Sequence, residues 1–485
     1  MRKRIWCLLI SLLLLCCAVS AAGAEVLPGK EIESGYYVYA VQDDGTAIIT
    51  RYTGKDVEVR IPETLDDITV TAIGPSAFQS NDAVTNVVLP EGIVSLGDSA
   101  FKFCSSLEYV TLPVSLTDVG VNPFASCEAL LEVTVTEGNA NLKMVDGVLY
   151  SLNDYRLIYY SMKNEPGEYK VKRGTRIIGA DAFYECDNIT KLKIPKKADE
   201  EGAVALTAIG RRAFYHCENL KAINLEDSEI STVGADAFSG CVKLKKVTFP
   251  NKVTSIAERA FQDCANLTEL VLPATITSIG EMAFRDCTSL DSAHLPDGVA
   301  TIGKNTFAGC KELSELILPD GLSYIGGGAF QSCKSLTKLA LPDSVDYIGT
   351  EAFSDCNALE EITIPETCGY IGASAFFHCQ SLKSINLPED LYTINSSTFS
   401  GCISLEKIEL PEELEEIGNG AFFYCTALKE IVIPDPVEII GDNAFSGCIA
   451  LEKIELPEDL ETIGPNTFDE AQLAFLPDLS DMIEE

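Results

Sequence analysis

Histidine is scarce in this sequence, and the motifs of common catalytic sites are missing. The only histidines are His216, His294 and His378. Two of them precede cysteines of different repeats and the third lies in a predicted strand, so no two are expected to meet in a Cys–His or Ser–His site. The chain also has no G-x-S-x-G, H-E-x-x-H or P-loop motif. These absences predict that the protein is not an enzyme and needs no cofactor, although a catalytic pair of carboxylates stays open as an alternative.

Positive charge is also in short supply. The chain carries 36 lysines and arginines against 73 aspartates and glutamates, which gives a formal net charge of −37. Nucleic acids and anionic membranes are bound through basic patches, so neither is an expected partner. The excess of carboxylates favours solubility instead.

Long hydrophobic runs are limited to one, at residues 5–19. It follows the cations Arg2, Lys3 and Arg4 and precedes the small residues Ala22 and Ala24. This order predicts a secretory signal peptide over residues 1–24. An uncleaved membrane anchor and a lipoprotein attached through one of the cysteines of this segment are the less favoured alternatives. Because no second run is long enough to span a membrane, we expect a secreted or extracellular cell-surface protein without an integral membrane segment.

What the sequence does contain is a repeat. Ten cysteines from Cys241 to Cys448 stand 23 residues apart in the unit A-F-x-x-C-x-x-L-x-x-I-x-L-P-x-x-x-x-x-I-G-x-x. A fixed period of this length predicts stacked turns rather than one globular core. One phenylalanine marks each of about 16 turns: Phe78, Phe101, Phe124, Phe183, Phe214, Phe238, Phe261, Phe284, Phe307, Phe330, Phe353, Phe376, Phe399, Phe422, Phe445 and Phe468.

The turn around Phe330 illustrates the fold expected of each repeat. Leu316 and Leu318 alternate with polar or variable positions, which predicts a short strand with one buried face. Pro319 ends the strand, because proline has no N–H to continue a ladder. The A-F segment is then expected to be short and helical or irregular. The result is a repeat solenoid of β-rich α/β character, in which equivalent residues stack at ~4.8 Å per turn.

The repeat resembles that of the BspA-like (Treponema pallidum-type) leucine-rich repeat surface proteins. The resemblance is carried by the string I-G-x-x-A-F-x-x-C-x-x-L-x-x-I-x-L-P, which recurs over about residues 61–468. It implies a right-handed leucine-rich repeat superhelix with the L-x-x-I-x-L strands on its concave side. It also implies a bacterial cell-surface or secreted protein that serves in adhesion. No binding residue is carried over, because the shared motif is structural.

Four segments depart from the regular period. Residues 25–60 alternate apolar and polar residues around a D-D-G-T turn, which predicts a β-hairpin cap for the N-terminal end of the core. Within a solenoid of residues 61–470, a second hairpin is predicted as an insertion at about residues 136–172. A charged excursion is expected at residues 196–201, and residues 471–485 are expected to form an acidic C-terminal tail.

The cysteines invite two structural interpretations. Fifteen of the 18 lie outside the predicted signal peptide, and fourteen of these follow the repeat phenylalanines while Cys368 stands apart. Stacked neighbours at ~4.8 Å are close enough for disulfides, but their side chains run parallel rather than converge. We therefore favour free, packed thiols, since buried cysteine behaves as a small apolar residue. A metal site is not expected, because there are no C-x-x-C pairs or partner histidines.

Two surface rows are candidates for binding. The exposed position within successive strands carries Val271, His294, Ile317 and Ala340, which are less charged than their counterparts in later repeats. An apolar strip on a wet face can mark a contact site, although β-propensity alone also favours such residues at this position. The acid after each strand-ending proline forms the second row, which can be a weak cation site or a solvated ridge.

These observations predict a binding protein. We expect a protein or glycan ligand on host or neighbouring cells, contacted through the extended surface that stacked repeats offer. The rival hypothesis is a structural protein that associates with itself in a surface layer. The sequence leaves the ligand, the mode of anchoring and the oligomeric state open, because fold alone does not define function.

Overall fold

The computed structural model describes residues 30–195, 205–457 and 460–469. The predicted signal peptide, the charged excursion at residues 196–201 and the acidic tail lie outside the described residues. The chain divides into two compact units. The first contains the residues up to Glu165 together with Thr175–Glu185, and the second contains Pro166–Gly174 and the residues from Cys186 onward.

The strands of the first unit are β1 Ile32–Ser34, β2 Tyr37–Val41, β3 Ala47–Tyr52, β4 Glu58–Arg60, β5 Thr64–Leu65, β6 Ile68–Ile73, β7 Asn86–Val88, β8 Ser95–Leu96, β9 Tyr109–Leu112, β10 Asp118–Val119, β11 Glu132–Val135, β12 Leu142–Val145, β13 Val148–Ser151, β14 Arg156–Tyr160 and β16 Ile177–Ile178. The unit opens with β1, β2 and β3 as an antiparallel group. From β3 onward the strands β6, β8 and β10 add in parallel, while β4, β7, β9 and β11 form a second parallel sheet.

The strands of the second unit are β15 Gly167–Lys170, β17 Ile189–Lys193, β18 Ala208–Ile209, β19 Ala222–Asn224, β20 Thr232–Val233, β21 Lys246–Thr248, β22 Ser255–Ile256, β23 Glu269–Val271, β24 Ser278–Ile279, β25 Ser292–His294, β26 Thr301–Ile302, β27 Glu315–Ile317, β28 Tyr324–Ile325, β29 Lys338–Ala340, β30 Tyr347–Ile348, β31 Glu361–Thr363, β32 Tyr370–Ile371, β33 Ser384–Ile385, β34 Thr393–Ile394, β35 Glu416–Ile417, β36 Glu430–Val432, β37 Ile439–Ile440, β38 Lys453–Glu455 and β39 Thr462–Ile463.

Most repeats of the second unit contribute two short strands to two separate sheets, whereas the repeat around Ile408 contributes only β35. The L-x-x-I-x-L segments supply strands such as β23, β25 and β27, which pair in parallel. The segments before I-G supply strands such as β26, β28, β30 and β32, which also pair in parallel. Paired residues are 23 positions apart, as in Ser292 with Glu315, so the sequence period sets the register. The predicted leucine-rich solenoid with this period is thus confirmed.

A column of aromatic rings runs through the core. From Phe238 to Phe468 neighbouring ring centroids are 5.1 to 5.7 Å apart, and the planes lie within 17° of parallel. Offset-stacked rings of this kind gain energy beyond the burial of their area. In the first unit the column includes two tyrosines, because Tyr52 stacks on Phe78 and the tilted ring of Tyr160 packs on Phe183, each at 4.8 Å. The solenoid therefore has about 18 turns rather than 16.

The A-F-x-x-C corner differs in one detail from the α/β character expected, because the described residues contain no helix. Around Phe284 the φ angles of Met282 and Asp286 are 56° and 57°, in the left-handed region. The N–H groups of Met282, Phe284 and Asp286 donate to carbonyls of the next turn at 2.7 to 2.9 Å. The N–H groups between them bond three residues back within the corner. Alternate N–H groups of the corner therefore join one turn to the next, and the groups between them are satisfied within the corner.

The cysteines of the described residues are buried. All fifteen cysteines outside residues 1–24 carry no disulfide in the structure. In the regular repeats each Sγ donates to the carbonyl of the phenylalanine one turn back, as from Cys333 to Phe307 at 3.3 Å and from Cys425 to Phe399 at 3.1 Å. Burial raises the pKa of these thiols, for example to about 12 at Cys356. Cysteine thus acts as a small apolar side chain that also satisfies one carbonyl.

Candidate functional site

Three of the four predicted strip residues lie side by side in one sheet. Val271 of β23, His294 of β25 and Ile317 of β27 are in direct register. Ala340 occupies the equivalent position of β29, the next strand in sequence. The side chains before them, such as Leu270 and Ala293, are buried, so alternation along each strand directs the strip residues outward. Val271 is 56% exposed and Ile317 is 49% exposed. We call these four residues the strand strip.

Ion pairs border the strand strip. On one side Lys246 Nζ lies 3.6 Å from a carboxylate oxygen of Glu269. On the other side Lys338 Nζ lies 2.9 Å from Glu361. The pairs continue in later repeats, as between Lys383 and Glu360 at 2.9 Å. The two partners of each of these pairs come from neighbouring turns. Lysine–glutamate pairs of opposite charge thus recur from turn to turn along the sheet.

The strand strip interrupts this series of ion pairs. Between Glu269 and Lys338 the strand positions beside the strip are occupied by Ser292 and Glu315. Glu315 contacts the strip itself, since its Oε1 lies 3.4 Å from His294 Nε2. The surface there combines two exposed aliphatic side chains, one imidazole and one carboxylate. Such a mixture supports contact with a partner through apolar burial and a few hydrogen bonds.

In two of the flanking pairs the contact favours the charged form of one partner. The hydrogen bond from Lys338 to Glu361 raises the pKa of that lysine. The contact with Lys383 lowers the pKa of Glu360. Both shifts favour the charged forms of Lys338 and Glu360 near neutral pH. The flanks are therefore already paired within the chain, which leaves the strand strip as the less charged part of this face.

The other two histidines have structural positions at the corners. His216 and His378 both precede a buried cysteine and have φ angles of 52° and 56°. Each ring packs against the glycine of the following turn, Gly240 and Gly401, where a Cβ atom would collide with the imidazole. His378 Nδ1 also lies 3.5 Å from an oxygen of Asp355. The described residues bring none of the three histidines together.

The acidic row after the strand-ending prolines takes part in turn-to-turn contacts. The backbone N–H of Glu389 donates to Glu366 Oε2 at 3.1 Å. In the first unit Glu91 accepts bonds from the N–H groups of Val114 and Ser115 at 3.0 and 3.1 Å. Within the described residues no group of three or more metal-binding side chains converges. Glu458, the last acid of the row, lies outside them.

A feature that the sequence analysis missed is a set of stacked tyrosines on the second sheet. Tyr324, Tyr347 and Tyr370 are in register, and successive ring centroids are 4.8 Å apart with planes 9° from parallel. The signal was present, since the triplet Y-I-G recurs in three successive repeats. This triplet lies outside the L-x-x-I-x-L strands that carry the strand strip.

Comparisons with known proteins agree with this architecture. The family model of the BspA type leucine rich repeat region matches residues 58–147, 164–290, 207–336, 278–404 and 349–475. The chain therefore belongs to the BspA-type leucine-rich repeat family. A search of curated protein sequences finds no significant match. No helix among the described residues is long and apolar enough to cross a membrane.

Several solved structures are similar. A leucine-rich repeat protein from Bacteroides ovatus is 27% identical, with a TM-score of 0.50, over 89% of this chain and 95% of that chain. A leucine rich cell surface protein from Faecalibacterium prausnitzii is 24% identical, with a TM-score of 0.39, over 92% and 97% of the two chains. The leucine-rich repeat protein of T. pallidum is 23% identical, with a TM-score of 0.19, over 63% and 91%.

Proposed function

We propose that this protein is a secreted or cell-surface binding protein of adhesin type. Its task is attachment to a protein or glycan on a host or neighbouring cell. The observation that carries the proposal is the strand strip, an exposed apolar interval in a face that is otherwise lined by ion pairs. Export is supported by the signal-peptide pattern at residues 1–24 and by the resemblance to surface proteins.

The strand strip has the properties of a small preformed contact surface. Val271 and Ile317 are β-branched, so they have few rotamers to lose when a partner covers them. Their strands, β23 and β27, are both held by parallel pairing with β25, which lies between them. His294 and Glu315 supply polar groups at the same level. A ligand that buries the aliphatic pair and bonds to this polar pair fits the surface.

The function is tested by a binding panel with two matched variants. The purified exported chain is presented with extracellular-matrix proteins, mucins, glycans and cell-wall polymers. The test variant carries Val271→Glu together with Ile317→Glu. The control is Val432→Glu, because Val432 occupies the same strand position and is 54% exposed but lies outside the strand strip. A saturable ligand that is lost in the double variant and kept in the control supports the proposal.

Two results contradict it. If every ligand found binds the double variant as well as the unchanged chain, the strand strip is not the binding surface. If no ligand binds and the chain forms concentration-dependent oligomers in analytical ultracentrifugation, the rival role in a self-associating surface layer is favoured. The melting temperatures of both variants should match that of the unchanged chain, because exposed substitutions away from buried groups have small effects.

A further inference from the structure

A second surface, on the sheet formed by β26, β28, β30 and β32, is unlike the strand strip. It carries the stacked rings of Tyr324, Tyr347 and Tyr370, and Tyr392 follows in the next repeat. Tyr324 and Tyr370 are each 39% exposed and Tyr392 is 51% exposed. The inward side chains of the same strands, such as Ile348, are fully buried. We call the four tyrosines the tyrosine face.

The tyrosine face is ordered before any partner arrives. Each ring of the stacked set lies 4.8 Å from the next, so rotation of one ring is limited by its neighbours. Tyrosine has only two side-chain torsions and combines a large apolar area with a hydroxyl group. Ordering costs on binding are therefore small, and this is the property that makes tyrosine common at energetically important contacts.

The charge around the tyrosine face has one sign. From the strand-ending proline to the following cysteine, the repeats at residues 319–333, 342–356, 365–379 and 388–402 contain no lysine or arginine. The same segments contain eight carboxylates: Asp320, Asp343, Asp346, Glu351, Asp355, Glu366, Glu389 and Asp390. This arrangement attracts cations and opposes a second copy of the same acidic surface.

An open position lies within this surface. Gly369 is exposed and stands one turn after Asp346, to whose carbonyl its N–H donates at 3.1 Å. Tyr392 holds the equivalent position one turn further. A Cβ atom placed on Gly369 would meet no heavy atom within 4 Å. The column thus presents a carboxylate, a gap and an aromatic residue in succession, with Tyr370 directly beside the gap.

We infer that the gap at Gly369 receives an arginine side chain from a basic segment of another protein. A guanidinium group is planar, stacks on aromatic rings and pairs with carboxylates through two parallel hydrogen bonds. Tyr370 and Tyr392 supply the rings and Asp346 supplies the carboxylate. A lysine ammonium matches the charge but has no planar group to lie between them. The surface therefore discriminates arginine from lysine.

This site is separate from the proposed function in both place and chemistry. The strand strip is apolar and lies on the L-x-x-I-x-L strands, whereas the tyrosine face lies on the strands before I-G. Val271→Glu with Ile317→Glu should leave the arginine site unchanged. Failure of either proposal can therefore be distinguished from failure of the other.

The experiment titrates the purified chain with three labelled peptides of equal length. One alternates arginine with serine, one alternates lysine with serine, and one alternates glutamate with serine. Fluorescence anisotropy is followed at low and at physiological salt. The arginine peptide should bind several-fold tighter than the lysine peptide, and the glutamate peptide should not bind. Affinity should fall as salt rises, because exposed charges are screened.

Two variants locate the site and one serves as control. Gly369→Leu fills the gap, and Asp346→Asn removes the carboxylate. Each should weaken the arginine peptide by roughly tenfold, the loss expected when one charge-assisted or stacked contact is removed. The control is Gly321→Leu, because a Cβ atom at Gly321 has Asp297 as its nearest neighbour at 3.9 Å, which is ordinary contact. All three should melt like the unchanged chain.

Several outcomes overturn the inference. Absence of binding by the arginine peptide does so directly. If the arginine and lysine peptides bind with equal affinity and Gly369→Leu has no effect, both peptides are held by general attraction to the acidic chain and not by a site at Gly369. Equal weakening by Gly321→Leu means a general effect of added bulk. If the chain forms dimers that Tyr370→Glu abolishes, the tyrosine face is covered by a second copy instead.

Discussion

The regular repeats of the second unit and the interrupted repeats of the first unit use different contacts to hold successive turns together at the corner. In the regular repeats two buried contacts join each corner to its neighbours. The phenylalanine ring stacks on the ring of the next turn, and the cysteine thiol donates a hydrogen bond to a backbone carbonyl of the preceding turn. Between Phe124 and Phe183 the ring column is continued by Tyr159 and Tyr160, at 5.6 and 4.8 Å from the two phenylalanines. Those tyrosines belong to β14, which has no A-F-x-x-C corner of its own.

Polar groups close the corner where that segment is missing. Asn122 Nδ2 donates to the carbonyl of Asp181 at 2.8 Å, and Ser126 Oγ donates to Glu185 Oε2 at 2.6 Å. Lys102 Nζ lies 3.3 Å from Asp181 Oδ2 and 3.9 Å from the ring centroid of Tyr184. The residues that meet are 59 and 79 positions apart. The regular corners are held by the same apolar side chains repeated in every turn, whereas the interrupted corner is held by the buried charge pair of Lys102 and Asp181.

The largest expected difference between the units appears at alkaline pH. The unfolded chain loses thiol protons from pH about 9, whereas burial raises the pKa of the folded thiols, to about 12 at Cys356 and Cys402. The folded state then binds more protons than the unfolded state, so stability is full below pH 9 and falls as pH rises. Each thiol contributes up to about 1.4 kcal/mol per pH unit.

The cysteines are unevenly distributed between the two units, so the alkaline stability of one unit can be compared with that of the other in the same molecule. The second unit contains thirteen of them and the first contains Cys104 and Cys127. Hydrogen exchange between pH 9 and 10 should show protection lost first in the second unit. Replacement of Cys310, Cys333 and Cys356 by alanine should shift that loss to higher pH. Simultaneous loss in both units would mean that thiol ionisation does not limit alkaline stability.

A break in the ring column should have a large effect at neutral pH. Phe330→Ala removes a fully buried ring that is stacked on both sides, at 5.7 and 5.4 Å. The expected cost is about 3–5 kcal/mol, measured by denaturant unfolding. Ile449→Ala is the control, because Ile449 is 79% exposed. An unchanged unfolding midpoint for Phe330→Ala would place that ring outside the cooperative core.

Loss of the buried lysine should damage the interrupted corner to a similar extent. Lys102→Met keeps the length of the side chain but leaves the carboxylate of Asp181 without its ammonium partner in a buried place. Removal of one partner of a buried pair costs about 3–5 kcal/mol. Lys311→Met, at an exposed corner position of the regular repeats, should be neutral. The double variant Lys102→Met with Asp181→Asn should recover part of the stability, since the buried group that faces position 102 is then uncharged.

The period, the register and the buried rows could be predicted from the sequence, because each depends on the spacing of apolar residues. The corner could not. Phenylalanine and cysteine three residues apart fit a helical turn as well as the observed turns, and only the backbone shows that Met282 and Asp286 are left-handed. The turns of Tyr52 and Tyr160 carry no repeat phenylalanine, so the phenylalanine spacing does not predict them, although a tyrosine ring fills the same place.

Some features of the candidate sites could likewise be predicted from the repeat spacing, and others could not. Strip residues such as Val271 and Ile317 were placed side by side by their spacing alone, because parallel strands with a fixed period bring equivalent positions together. The contact between Lys102 and Asp181 was not predictable, since it crosses a segment whose path is set by β14 and not by the repeat. The open position at Gly369 needed coordinates, because a glycine in a sequence does not reveal the space around it.

The smallest effect is expected from the exposed ion pairs of the regular repeats. Lys383→Gln removes the 2.9 Å contact with Glu360, whose pKa that contact lowers. Both side chains remain in water, so the attraction is offset by hydration and screened by salt. The melting temperature should be unchanged at physiological ionic strength and should fall slightly at low salt. A loss as large as that of Lys102→Met would mean that charge, and not apolar stacking, holds the regular repeats together.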